Sequence, residues 1–204
     1  MQASFEFNTP KEANMIRSGD TLHNPVTGEV IRFVKAAADT GGEYVLVEVV
    51  VEPNGAVAAA HVHPYQTEIF EILEGEVTFR AGKETIVAKA GDTVRVDPGT
   101  PHRFWNAGET DARFRTEIRP ALEFESLIET MFALANDGKT NRKGLPNPLR
   151  LAVIANAHFD VVRLPFPPAW MQKVGLALGA PLGRLVGYRP TYEPAQPSDV
   201  SLAL

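Results

Sequence analysis

Between residues 25 and 119, apolar and polar positions alternate in short runs. EYVLVEVVV (43–51) is rich in β-branched residues, and EIFEIL (68–73), EVTFR (76–80), TIVA (85–88), DTVRVD (92–97) and ARFRTEI (112–118) mostly follow a period of two. Turn signals separate them: TG at 27–28, GG at 41–42, PNG at 53–55, EG at 74–75, AG at 81–82 and 90–91, PGTP at 98–101 and AG at 107–108. Short strands at this spacing predict an all-β barrel or sandwich. The alternation assigns Val57, Ala59, Phe70, Ile72, Val94, Val96, Phe104 and Phe114 to the inner face, with Phe33, Val47 and Val49 as further candidates. Arg80, Arg95, Arg103, Arg113 and Arg115 fall on the outer face, unless a bulge shifts the parity.

The period changes at Pro120. ALEFESLIETMFALANDG has apolar residues at helical spacing, and Asn136, Asp137 and Gly138 form its stop signal. NPLRLAVIANAHF (147–159) predicts a second helix with Pro148 in its first turn. PPAWMQKVGLALGAPLGRLVG (167–187) predicts a third, broken at Pro181. The chain thus divides into an N-terminal segment (1–24), a β-barrel (25–119) and a C-terminal helical extension (120–204), with 138–148 as a flexible loop. Only ten uncharged residues lie between Lys173 and Arg184, too few to cross a bilayer, so no transmembrane segment is expected. The third helix should pack on the barrel or on a second subunit, with contact at a membrane surface as the alternative. The apolar residues of the extension, Phe124, Leu127, Met131, Phe132, Trp170 and Leu185 among them, exceed what a surface ornament needs.

Composition narrows the function classes. A chain of 204 residues with 22% charged and 44% hydrophobic residues is globular in character. A formal net charge of -5 argues against nucleic acid, and against an anionic membrane surface, as main partner. With no cysteine, any metal must be held by nitrogen and oxygen ligands. The N-terminus lacks the basic start and apolar core of a secretory signal, so a cytoplasmic location is expected.

The candidate chemistry lies in HVHPYQTE (61–68). His61 and His63 share one strand face, behind Val57 and Ala59. Pro64 ends that strand, and a hairpin returns Glu68 beside them. His102 follows the PGTP turn and shares a face with Phe104 and Asn106. Three imidazoles and one carboxylate inside an apolar barrel suit one divalent transition metal (Fe, Mn, Ni, Co, Cu or Zn). A substrate pocket would involve Tyr65 and Gln66 at the barrel mouth, with Phe70, Ile72 and Phe104 within. Gly75, Gly91 and Gly99 read as turn formers, Asn106 as the holder of a backbone turn, and His23 and His158 as surface or packing residues.

These residues resemble the cupin superfamily. GAVAAAHVHPYQTEIFEILEG matches the first cupin motif at Gly55, His61, His63, Glu68 and Gly75. GDTVRVDPGTPHRFWN matches the second at Gly91, Gly99, His102 and Asn106, with Asp97 where the motif has proline. The resemblance covers about residues 25–119 of a single-domain cupin, and implies a mainly β fold: a double-stranded β-helix, or jelly-roll, barrel followed by the C-terminal α-helical extension. It implies His61, His63, Glu68 and His102 as metal ligands, and a homodimer. The expected function is a mononuclear metal-dependent oxygenase, dioxygenase-like, acting on a small apolar or aromatic compound. There Glu68 is both ligand and catalytic proton acceptor. A non-catalytic small-ligand-binding cupin, or a metal-dependent isomerase or lyase, would use the same residues.

Overall fold

The computed structural model describes residues 16–194. Among these residues, nine strands form two antiparallel sheets. The larger, ordered β1-β2-β3-β9-β4-β7, contains β1 (Thr21–Asn24), β2 (Glu29–Lys35), β3 (Val45–Val51), β4 (Thr67–Glu74), β7 (Thr93–Val96) and β9 (Ala112–Arg119). The smaller, ordered β6-β5-β8, contains β5 (Glu76–Ala81), β6 (Glu84–Lys89) and β8 (His102–Trp105). The larger sheet starts with the β1–β2 hairpin, in which Leu22 faces Ile31 across the pair.

Alternation does the work the sequence suggests. On β3 and β9 every second residue is buried, and Val49 stands opposite Phe114. The two inner faces meet in a cluster of four rings, Phe70, Phe79, Phe104 and Phe114. Their centroids lie 5.0 to 6.5 Å apart, mostly edge to face. Phe79, fully buried on β5, is an inward residue absent from the sequence-derived set. The run VTF (77–79) alone signals it. Val57 and Ala59, assigned inward, are only partly buried. Arg80, Arg95 and Arg103 are exposed, and Arg113 and Arg115 lie at the surface in ion pairs with Glu74 and Glu48. Gly75, Gly91 and Gly99 turn the chain at positive φ. At Gly75 a Cβ would also stand 2.9 Å from the Asp111 carbonyl oxygen.

Among the described residues, three α-helices follow the barrel. Helix α1 (Phe124–Asn136) lies against β1. Helix α2 (Pro148–Ala157) begins at Pro148, with the Asn147 side chain accepting from the Arg150 N–H as its N-cap. Helix α3 (Ala169–Leu185) packs on α2. It runs unbroken through Pro181, against the expected break. Pro181 and Ala177, whose carbonyl loses its donor, are both exposed, so water can satisfy that oxygen while contact with α2 holds the helix together. No helix among the described residues is long and apolar enough to cross a membrane.

Candidate metal centre

The stretch before His63 is not the continuous strand predicted from its alternation. Ala56 bridges Trp105 and His61 bridges His102, so five residue steps on one side oppose three on β8. The two extra residues bulge out around 58–60 and interrupt the ladder. His61 is nonetheless tied to β8 by mutual backbone hydrogen bonds with His102, each 2.9 Å. Nor does a simple hairpin return Glu68 beside the histidines. Glu68 lies on β4 in the larger sheet, opposite Val96 of β7 and Ile118 of β9. The loop at 64–66 crosses from one sheet to the other, and the four side chains meet between the two.

Their potential ligand atoms all lie within 4.8 Å of one another. The His61 ring centroid is 4.9 Å from that of His63 and 4.3 Å from that of His102. His63, Glu68 and His102 are buried and His61 is partly exposed, so the approach to the cluster is on the His61 side. Each imidazole spends its Nδ1 on a backbone carbonyl: His61 on Ala59 (2.9 Å), His102 on Thr100 (2.9 Å) and His63 on Val161 (2.6 Å). A carbonyl can only accept, so each Nδ1 carries the hydrogen and each Nε2 in the neutral ring is a bare lone pair. Glu68 faces these nitrogens, with Oε2 2.7 Å from His102 Nε2 and Oε1 3.6 Å from His63 Nε2. The closer pair is near in distance only: both atoms are buried and neither forms a well-directed hydrogen bond.

The electrostatics couple the same four groups, and in the absence of a cation they favour a proton between Glu68 and His102. Burial pushes the Glu68 carboxyl up, but His63 and His102 outweigh it and hold it at about 2. Burial, with the neighbouring His63 and His102, depresses His61 to about 3, so it stays neutral. Burial also opposes a charge on His102, but its proximity to Glu68 prevails and raises it. Once a cation displaces the protons shared with Glu68, the three Nε2 lone pairs and the carboxylate form a donor set that it would complete.

The other sequence-derived candidates are placed differently. Tyr65 is 58% exposed on the crossing loop. Gln66 is buried, and its Nε2 donates to the carbonyls of Pro120 and Ala121, which ties the loop to the chain after β9. It anchors the loop and does not present its amide N–H groups at the mouth. Phe70, Ile72 and Phe104 are core residues, and the rings of Phe70 and Phe104 pack in the aromatic cluster. Asn106 holds its turn: Nδ2 donates to Val51 and Thr110 carbonyls, and Oδ1 accepts from the Gly108 N–H. His23 is exposed, and His158 is buried with Nδ1 on the Ile154 carbonyl. The contributor that sequence reasoning missed is Val161. The stretch after α2 lies beside the histidines, where Val62 and Arg163 exchange backbone hydrogen bonds. A main-chain carbonyl leaves no residue-type signal, so the Val161 contact had none to read.

Comparison with known proteins gives a consistent picture. Residues 47–118 match the family model for the Cupin domain. Quercetin 2,3-dioxygenase of Bacillus subtilis is 31% identical over 93 residues, 46% of this chain and 25% of that protein. An oxalate-binding protein of Thermotoga maritima is 37% identical over 66 residues, 32% of this chain and 54% of that protein. This chain thus spans a quarter to about half the length of these two relatives. The crystal structure of a predicted oxalate decarboxylase from Thermotoga maritima superposes with a TM-score of 0.43 at 26% identity, covering 45% of this chain and 80% of that one. Residues 47–118, with their two facing antiparallel sheets and both histidine motifs, are a cupin domain.

Proposed function

We propose that His61, His63, Glu68 and His102 hold one divalent transition metal, and that the barrel is a mononuclear metal-dependent oxygenase, dioxygenase-like, acting on a small apolar or aromatic compound. One observation carries this reading: three Nε2 lone pairs and a buried carboxylate converge with every Nδ1 already engaged elsewhere. The likeness to a quercetin dioxygenase supports the reaction class. A metal bound there would polarise a coordinated oxygen or serve as the redox centre. This chain's residues do the rest. Backbone carbonyls hold the imidazoles in orientation. Glu68, held ionised, anchors the charge and accepts a proton from a substrate hydroxyl once its ligand position is released. Because His61 is the partly exposed member of the set, the substrate approaches over it and the exposed Tyr65.

The likeness to an oxalate-binding protein favours a second reading, a small-ligand-binding cupin without turnover. The first test is metal content by mass spectrometry on protein purified without chelators, beside His63→Ala. Near-stoichiometric iron, manganese, nickel, cobalt or copper, falling at least ten-fold in the variant, is the expected result. Oxygen uptake with aromatic compounds then separates an oxygenase from an isomerase, a lyase or a binding protein. No metal in either protein after reconstitution would end the oxygenase reading and leave a barrel that binds an apolar ligand by shape.

A further inference from the structure

Helix α3 presents two faces. Gly179, Ala180 and Gly183 lie toward α2, where Ala180 and Gly183 are buried. On the opposite side Trp170, Met171, Val174, Leu178, Leu182 and Leu185 recur at helical spacing, and all are exposed. The exposure is large: 68% for Trp170, 69% for Leu178 and 83% for Leu185. Phe166, at 78%, extends the face beyond the helix N-terminus. Nothing among the described residues covers it, and a contiguous apolar face of this length is unusual on a free surface.

The charge around it names the occupant. The chain as a whole has 20 Lys and Arg against 25 Asp and Glu, yet residues 138–192 contain eight basic residues and a single acid, Asp160. Lys173 and Arg184 lie about 20° apart around α3, along one edge of the apolar face, and both are exposed. Arg163 and Arg189 flank the helix at its two ends. The net charge of -5 therefore conceals a basic stretch bounded by Asp137 and Glu193, within an extension that is near neutral as a whole. Within α3 the only uncharged polar side chain is Gln172. A protein partner would need hydrogen bonds at a polar rim, which this face barely offers. A second copy would set one basic edge against another with no carboxylate in either helix to neutralise them.

We propose that α3 is a peripheral membrane-docking helix. It lies in the plane of an anionic lipid surface, with Trp170, Leu178 and Leu185 in the acyl boundary and Lys173 and Arg184 at the phosphates. The helix is about 25 Å long and sits parallel to the surface. This places the barrel at a membrane without a spanning segment, and it does not depend on the metal reading.

The test is flotation of the full chain with vesicles of phosphatidylcholine alone and of phosphatidylcholine with phosphatidylglycerol. Two variants accompany it, Leu178→Glu and the pair Lys173→Gln with Arg184→Gln. All three positions are exposed, and circular dichroism verifies that each variant folds. The chain should float with the anionic vesicles only, and Trp170 emission should shift to the blue, a shift absent in Trp170→Phe. Leu178→Glu should abolish flotation. Each charge removed should weaken binding about five-fold at low salt. Equal flotation with neutral vesicles would overturn the proposal, as would none with either. A dimer that Leu178→Glu dissociates, without vesicle binding, would overturn it in favour of a second copy.

Discussion

Glu29 shows what a single buried carboxyl does to this barrel. It opens β2 opposite Val51, is buried, and burial pushes its carboxyl up from 4.5 to about 7. Between those values the unfolded chain has released its proton while the native chain keeps it. Native stability therefore falls as pH rises through that window and levels off above it. Glu29→Gln removes the dependence. Urea unfolding should give equal stabilities for variant and wild type below pH 4.5 and a gain for the variant of up to about 3 kcal/mol near pH 8. This effect sat outside sequence reasoning, which finds charged residues easily but not the depth at which they lie. The metal candidates were legible for the opposite reason. His61, His63, Glu68 and His102 are types rarely placed together without a shared task, and their spacing fell in register with both cupin motifs. Tyr65 and Gln66 read alike as loop residues, and only the structure separates the exposed ring from the buried anchor.

At the scale of elements, the strands with uninterrupted alternation were legible to within a residue or two: β3, β4, β5, β7 and β9 each match a run in the sequence. The segment before His63 did not, because a bulge breaks the pairing that alternation assumes. Helix α3 was read as broken because the cost of Pro181 is local, whereas the contacts that offset it come from α2. Those contacts depend on Gly183, where a Cβ would stand 2.5 Å from Val153 Cγ2 and 2.6 Å from the Leu149 carbonyl oxygen. Gly183→Ala should force the helices apart. The overpacking should outweigh alanine's better helix propensity and lower stability by about 1–3 kcal/mol in chemical denaturation. Gly179→Ala meets only Ala152 Cβ at 3.1 Å and should cost far less, so the pair of variants maps where the two helices touch most closely.

At the scale of the whole molecule, the division of the sequence at Pro120 marks a change of periodicity, and the chain does not come apart there. Gln66 in the barrel loop is held by the carbonyls of Pro120 and Ala121, and the His63 ring is held by that of Val161. The barrel's chemistry is therefore not a transferable module. A chain ended before Pro120 would keep all four ligand side chains and lose the acceptor that orients one of them. Titration of such a barrel with metal should show affinity at least ten-fold weaker than that of the full chain, even where the sheets survive. The same 2.6 Å contact makes the extension part of the candidate metal centre's inheritance: grafting another tail onto this barrel, or this barrel onto another tail, would preserve both histidine motifs and still change how the His63 ring is held.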